Sequence, residues 1–257
     1  MITMQRQPSV LSFFASALCC TLIFALTSAD QALAQGGPPM ITDDPHTIGP
    51  GRWEINVAQL SLFSGNSTVT QSPYLDLNWG VGENLQVKYE TGVSSMSPSN
   101  LPYGGPFATT GVRWRFLSQK DQDLEISTYP QYSFYPSYYG STTAANTSSS
   151  VFFLPVEVSK KWGRYTFNPE MGYGFARGDD NFWSLGLLLG REMNPAWSLM
   201  VELHTQSPLS FNQSQNILNV GTAVDLGESF TLLASMGTSL GIQPGYGISY
   251  LGLQIHL

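Results

Sequence analysis

Residues 75–90 read L-D-L-N-W-G-V-G-E-N-L-Q-V-K-Y-E, and this stretch decides the fold. Apolar side chains occupy every second position on either side of Gly80-Val81-Gly82, and the positions between them are polar or charged. Alternation with period two is typical of a β-strand with two unlike faces, and a short glycine-containing break is typical of a turn. The stretch therefore predicts a β-hairpin with one apolar face and one polar face.

The same alternation recurs from Arg52 to Leu257, between segments rich in Gly, Pro, Ser, Thr and Asn. It predicts twelve strands, at residues 52–62, 68–79, 83–93, 107–117, 124–134, 150–160, 164–176, 181–191, 197–206, 215–225, 229–238 and 246–257. Such lengths suit tilted strands that cross a bilayer, which need about 9 to 11 residues. Connections after even-numbered strands are short and most of the others are long, as in outer-membrane barrels.

The charged residues inside these strands provide a sharper test, because Lys or Arg on a lipid-facing surface costs about 2 to 4 kcal/mol at the membrane midplane. The ten that lie well inside the strands all fall in the polar phase of the alternation. They are, together with His204 in the same phase, the predicted lumen-lining residues: Glu54, Asp76, Lys88, Glu90, Arg113, Arg115, Glu125, Glu157, Glu170, Glu202 and His204. Opposite charges on adjacent strands are expected to pair and brace the wall, with a selectivity filter as the alternative.

A soluble antiparallel sandwich with one wet face would show the same alternation, but its composition would differ. Only 11% of this chain is charged, whereas a soluble domain has about 25% charged residues. No apolar run long enough for a transmembrane helix follows residue 34, and closed barrels are the other structure that satisfies its backbone in lipid. We therefore predict an all-β fold: a transmembrane antiparallel up-and-down β-barrel of about 12 strands, with short periplasmic turns and longer external loops.

The start of the chain predicts export. Arg6 precedes an apolar stretch at 11–26, and Ala32-Leu33-Ala34 forms a cleavage site of the A-x-A kind. Residues 1–34 are therefore a predicted signal peptide, and the mature chain is expected to begin near Gln35. A retained anchor helix is the alternative, but the apolar stretch is shorter than the about 20 residues that it needs.

Both cysteines, Cys19 and Cys20, lie within the predicted signal peptide. A lipoprotein anchored at Cys19 is a weaker alternative, because Leu18 stands where a small residue is required. Without thiols in the mature chain, disulfides, thiolate metal sites and cysteine nucleophiles are excluded. Export and an even strand number together predict the outer membrane of a Gram-negative bacterium, with both termini in the periplasm.

Residues 35–51 precede the predicted barrel, residues 52–257, and are rich in proline and glycine. This composition predicts no regular structure, so the segment is either a periplasmic tail or a strap folded into the lumen. It contains T-D-D-P at 42–45 and leads into G-R-W-E-I at 51–55. The pattern resembles the outer-membrane family named for the MetA pathway of phenol degradation, whose members are often called transporters. The residues that match are Thr42, Asp43, Asp44, Pro45, Trp53 and Glu54.

The resemblance covers about residues 42–57 and implies a monomeric barrel that passes small apolar or aromatic compounds. Barrel size agrees with selective permeation, since eight strands are filled by side chains and about 16 to 18 leave an aqueous channel. The leading hypothesis is a channel for passive uptake of such molecules. The alternative is a structural or surface-interaction barrel with a closed lumen. The motif residues are expected to have a structural role before a catalytic one.

Other functional classes find little support. The net charge of −7 disfavours nucleic-acid binding, which needs clustered positive charge. The only histidines are His46, His204 and His256, no closely spaced H-x-S occurs, and metal-site and phosphate-loop motifs are absent. We therefore predict a chain that is not an enzyme and has no cofactor, no metal and no catalytic residue. Its expected partners are membrane lipid and a small solute that the sequence does not identify.

Three prolines conflict with regular barrel strands. Pro130, Pro155 and Pro169 lie inside predicted strands, where a missing N–H leaves a carbonyl without its partner. We expect bulges at these positions, or strands that project beyond the bilayer so that water can bind the carbonyl.

Overall fold

A computed structural model describes residues 36–97, 101–102, 107–135, 149–177, 180–212, 214–241 and 245–257. Twelve strands form a closed barrel: β1 (Trp53–Ser64), β2 (Ser67–Gly80), β3 (Leu85–Ser97), β4 (Phe107–Gln119), β5 (Leu124–Thr128 and Gln131–Tyr135), β6 (Ser149–Trp162), β7 (Tyr165–Arg177), β8 (Phe182–Asn194), β9 (Trp197–Pro208), β10 (Gln215–Asp225), β11 (Phe230–Leu240) and β12 (Tyr246–His256). The predicted signal peptide lies outside the described residues.

Every strand pairs antiparallel with its neighbours in sequence, and β1 pairs with β12 from Glu54 to Ser64, which closes the barrel. Two short elements accompany the twelve strands. Leu101–Pro102 pairs with β3 outside the barrel order, and the 3-10 helix Lys120–Gln122 forms the β4–β5 turn. The predicted all-β fold and its twelve strands are confirmed. Among the described residues, no helix is long and apolar enough to cross a membrane.

Burial in this barrel is inverted relative to a soluble domain. Asp76, Glu157 and Glu202 are 0% exposed, while Leu185 and Leu187 on the outer face of β8 are 44% and 47% exposed. A wall with apolar residues outside and ionisable residues inside suits lipid around the barrel and polar contacts within it. A soluble antiparallel sandwich would bury its apolar face in the core. The apolar face of this barrel is exposed, so the sandwich alternative does not describe the molecule.

The prolines disturb pairing where they occur, but in different ways. Pro130 separates the two segments of β5, beside a register shift in the β4–β5 ladder. Pro155 lies on β6 opposite that break, so its missing N–H coincides with a gap in the neighbouring strand. Pro169 interrupts the β6–β7 ladder without any register shift, so the bulge expected there is absent. A fourth proline, Pro73, lies at a register shift in β2 that the sequence analysis did not anticipate.

Residues 36–51, hereafter the strap, run inside the lumen. The strap joins β1 at the end of the barrel that carries the short turns, hereafter the turn end; the opposite end, with the longer connections, is the loop end. Thr42, Asp44, Pro45 and Thr47 of the strap are buried. Of the two alternatives for this segment, the structure shows the strap folded into the lumen.

Candidate functional site

The predicted lumen residues all lie on the inner face of the wall, where each is buried or half-buried. Those that contact the strap, with their partners, fall into two groups. Strands β2 to β6 present Lys88 and Arg113 with their acidic partners, hereafter the cation wall. Strands β7 to β10 present Glu170, Glu202 and Asn219, hereafter the carboxylate wall.

Asp43 is the residue by which the strap binds the cation wall. Its Oδ2 lies 2.6 Å from Arg113 Nη2 and 3.4 Å from Lys88 Nζ. Arg113 also bridges onward, because its Nε lies 3.3 Å from Glu157 Oε2. Charges removed from water are tolerated only when partners surround them. The strap carboxylate is therefore part of the charge balance of the wall.

Lys88 completes this network on the other side. Its Nζ lies 2.9 Å from Glu90 Oε1 and 3.5 Å from Asp76 Oδ2. Asp76 in turn accepts hydrogen bonds from the side-chain amides of Asn56 and Asn78, at 3.2 Å and 3.0 Å. The expected pairing of opposite lumen charges is thus present, but Asp43 of the strap supplies the carboxylate that Lys88 and Arg113 share.

The carboxylate wall binds the backbone of the strap instead of a side chain. Glu202 accepts hydrogen bonds from the backbone N–H of Ile41, at 3.1 Å, and of Thr42. Glu170 accepts one from the backbone N–H of Asp43 at 2.9 Å. Three consecutive peptide donors therefore point at two carboxylates. Among the described residues, no Lys, Arg or His lies within ion-pair distance of Glu170 or Glu202.

An apolar contact is added at Met40, which is 6% exposed. Its side chain packs in a cluster with Leu188, Met200, Ala223 and Leu233, all directed inward. Inward apolar residues on an otherwise polar wall make a socket for one strap side chain. Burial of a methionine contributes about 1.5 to 3 kcal/mol.

Three glycines in the wall make room for the strap. A Cβ placed on Gly186 would overlap the side chain of Thr42, and one placed on Gly221 would overlap the sulfur of Met40. At the turn end, a Cβ on Gly80 would meet the backbone carbonyl of Gly49. Glycine inside a strand often marks a close approach of another backbone, and here that backbone is the strap.

The strap lies between cavities at the two ends of the barrel. A cavity of about 850 Å³, hereafter the vestibule, opens toward the loop end above Pro39 and Ile41. Cavities of about 620 Å³ and 340 Å³ lie toward the turn end, and His46 and Ile48 of the strap line both. The space available to a solute is thus interrupted at the strap.

Burial and charge shift the pKa values of the strap's own ionisable groups. Burial raises the pKa of Asp44 to about 7, against the attraction of Arg113. Burial acts the same way on Asp43, but the charges of Arg113 and Lys88 outweigh it and lower its pKa to about 2. The Glu125 carboxylate raises the pKa of His46. Asp43 is therefore the ionised anchor of the strap.

The remaining predicted residues lie away from the two walls' contacts with the strap. Arg115 and Glu125 pair at 2.7 Å near the turn end, as expected for adjacent strands. Glu54 lies 4.0 Å from His256 on β12. Trp53, although part of the family motif, lies on the outside and stacks on Trp79 at 5.8 Å. The motif therefore unites a lumen anchor at 42–45 with the first residues of β1.

His204 has a neighbour that the sequence analysis missed, because Ser184 Oγ lies 3.0 Å from its Nε2. A hydrolytic serine needs a histidine that a third group orients and donors for the oxyanion. No side chain among the described residues hydrogen-bonds the other ring nitrogen of His204. In the same part of the chain, no cluster of three or more His, Cys, Asp or Glu residues is arranged for a metal ion.

Comparison with known proteins shows the fold. The chain is similar to an outer-membrane channel from Pseudomonas putida F1, with a TM-score of 0.61 and 12% identity over 87% of this chain and 100% of that one. It is also similar to the NanC porin, with a TM-score of 0.58 and 10% identity over 79% and 100%. The KdgM porin gives a TM-score of 0.55 and 8% identity over 78% and 98%.

No protein-family model matches the chain, and no curated protein matches its sequence. The resemblance to the phenol-degradation family therefore stays a prediction that rests on residues 42–57. The structural similarities, at such low identity, establish a barrel of the outer-membrane kind and leave the solute open.

Proposed function

We propose that this protein is a channel of the bacterial outer membrane for small solutes, with the strap as its closure. The observation that carries the proposal is the way the strap is held. Most of its contacts with the wall are hydrogen bonds, which water and a solute can replace at a net cost of about 0.5 to 1.5 kcal/mol each. A segment held in this manner can leave the lumen without unfolding the barrel.

The vestibule supports a solute with an apolar or aromatic ring. Tyr74 and Tyr250 line one part of it with ring centroids 6.3 Å apart, and Phe153 and Phe182 line another part at 6.2 Å. Each phenylalanine ring covers a glycine on β7: Phe153 covers Gly172, and Phe182 covers Gly174. Rings that lie against the wall leave the centre open and offer π faces to a passing ring. The family resemblance points to the same solutes.

A second candidate is a structural or surface-interaction barrel whose lumen stays shut. The buried ion pairs of Asp43 favour it, because removal of one partner from a buried pair costs about 3 to 5 kcal/mol. Under this alternative, the strap would be a permanent part of the core and the longer connections would bind a partner.

A reversible lock on the strap tests the two candidates. A Cβ on Gly186 would lie 2.9 Å from Thr42 Cβ, and a disulfide joins Cβ atoms about 3.8 Å apart. The variant Thr42→Cys, Gly186→Cys, in a background with Cys19→Ser and Cys20→Ser, should therefore form a disulfide after a small shift. We expect discrete conductance in planar bilayers from the reduced variant and from the wild type, and its loss on oxidation.

The single variant Thr42→Cys is the control, because oxidation cannot lock it to the wall. If the reduced double variant and the wild type are both silent at every voltage, the channel function is wrong and the closed barrel stands. If oxidation leaves the conductance unchanged, the strap is not the closure.

A further inference from the structure

The two acids of the carboxylate wall bind hydrogen-bond donors without any charge to neutralise them. The two cations that pair with Asp43 of the strap also have partners in the wall: Lys88 contacts three carboxylates in all, and Arg113 contacts Asp43 and Glu157. Glu202 receives only N–H donors, from the strap and from Asn219 Nδ2 at 3.1 Å. The middle of the lumen therefore contains more carboxylates than cations.

Unpaired acceptors next to these acids show the same deficit of donors. Glu157 is the cross-strand partner of Glu170 and is 0% exposed, and its Oε1 has no hydrogen-bond donor among the described residues. Asn219 beside Glu202 is also 0% exposed, with its Oδ1 equally without a donor in that part of the chain. Buried acceptors without partners are costly, so this region is suited to a ligand that brings several donors.

The site is accessible from the vestibule. Glu170, Glu90 and His204 line the vestibule, as do Lys88, Arg177 and Ile41 of the strap. Glu202 lies just beyond, beneath the backbone of residues 41 and 42. A solute that reaches Glu170 is therefore next to the donors that the strap places on Glu202.

We propose that Glu170 and Glu202 form a binding site for small organic cations of the ammonium or guanidinium class, which the strap's own N–H groups occupy in the closed state. The proposal rests on the channel function and names its solute class. An ammonium group brings three donors and a guanidinium group brings five, so either replaces the three peptide donors that leave. Each also brings the positive charge that the two carboxylates lack, whereas an anion brings neither.

The strap thus stands in the place of the solute. Its release exposes two carboxylates whose hydrogen-bonding capacity is unmet, and the cation that binds them stabilises the open state. A ligand shifts such an equilibrium only by its preference for one state, and here the preference is complete because the strap and the cation use the same acceptors.

Ion selectivity in planar bilayers tests the site. Under a KCl gradient, the wild-type reversal potential should show cations preferred over anions by about tenfold, as in clefts lined by one sign of charge. Guanidinium chloride on the loop-end side should raise the open probability, and an equal concentration of potassium acetate should not. The double variant Glu170→Gln, Glu202→Gln should lose both effects, while Asp121→Asn, which removes a carboxylate from the exposed β4–β5 turn, should keep them.

The single variant Glu170→Gln, expected to lose part of the preference, replaces the double variant if the latter does not fold. A conducting channel that prefers anions or neither ion overturns the cation site and leaves the channel function intact. A double variant that keeps the wild-type selectivity also overturns the site. Silence of every variant, including the reduced cysteine pair, overturns the channel function itself.

Discussion

The cation wall and the carboxylate wall hold the same strap by different chemistry. The cation wall binds a side chain, since Arg113 and Lys88 converge on the carboxylate of Asp43. The carboxylate wall binds peptide N–H groups, and Met40 is the one strap side chain that enters its socket. Binding of the strap to the cation wall therefore depends on the side chain of Asp43. Binding to the carboxylate wall depends mainly on the path of the strap backbone and its N–H donors.

This difference has an energetic consequence. Ion pairs in the cation wall are part of the balance of a buried network, so removal of one member leaves the others uncompensated. Hydrogen bonds from peptide groups are exchangeable with other donors at little net cost. We expect changes in the cation wall to affect the whole barrel, and changes in the carboxylate wall to affect mainly the position of the strap.

The largest effect is expected from Arg113→Ala, which leaves Glu157 buried without a cation and leaves Asp43 with Lys88 alone. The free energy of unfolding should fall by about 3 to 5 kcal/mol, measured by urea unfolding of the barrel in detergent micelles. Arg191→Ala is the control, because Arg191 is exposed on β8, where its guanidinium lies over the ring of Tyr165. If both variants lost the same free energy of unfolding, the buried network of Arg113 would stabilise the barrel no more than an exposed side chain does.

An intermediate effect is expected from Gly186→Ala on the opposite wall, where the new Cβ overlaps Thr42. Overpacking costs about 1 to 3 kcal/mol, and this cost should displace the strap rather than unfold the barrel. A cysteine at Ile41, in the background without Cys19 and Cys20, should then react with a maleimide about tenfold faster or more. Gly82→Ala has open space around its Cβ and should leave the rate unchanged. Equal rates in both variants would contradict the close fit.

The smallest effect is expected from pH, through Asp44 of the strap, whose pKa is raised by burial. The pKa of Asp44 is about 7 in the docked strap and 3.8 in its ordinary state. A group with a higher pKa when docked favours docking while protonated, so docking should weaken as the pH rises from about 4 to about 7. The raised pKa of His46 acts in the same direction. Asp43 acts oppositely, but only below about pH 4.

The open probability of the channel should therefore be higher at about pH 8 than at about pH 5. Asp44→Asn should reduce this dependence and leave the remainder to His46. An open probability that falls as the pH rises would refute the assignment of Asp44 as the group that titrates.

The strands themselves were predictable because each carries its own signal. The alternation of Leu75, Leu77 and Trp79 with Asp76 and Asn78 requires no knowledge of the rest of the chain, and the twelve predicted strands agree with the observed ones within a few residues. Pro130 was recognised as a conflict for the same reason, since the missing N–H is local.

The site was predictable in part. The inward phase of Lys88, Arg113, Glu170 and Glu202 follows from alternation, because a charge on the lipid face is costly. The alternation shows which face of the strand a residue lies on, but it does not show which charged residues contact one another. Met40 and Gly186 went unnoticed, since a lone methionine and a glycine in a strand carry no signal until the partner is known.

The apolar exterior and the acidic interior of the barrel follow from the sequence alone, because period-two patterning and the cost of charge in lipid act residue by residue. The tertiary structure alone decided that residues 36–51 lie inside the barrel and that Asp43 completes the network of Lys88 and Arg113. Those contacts join positions far apart in the chain. Their formation depends on the closure of the β1–β12 seam, which no local pattern encodes.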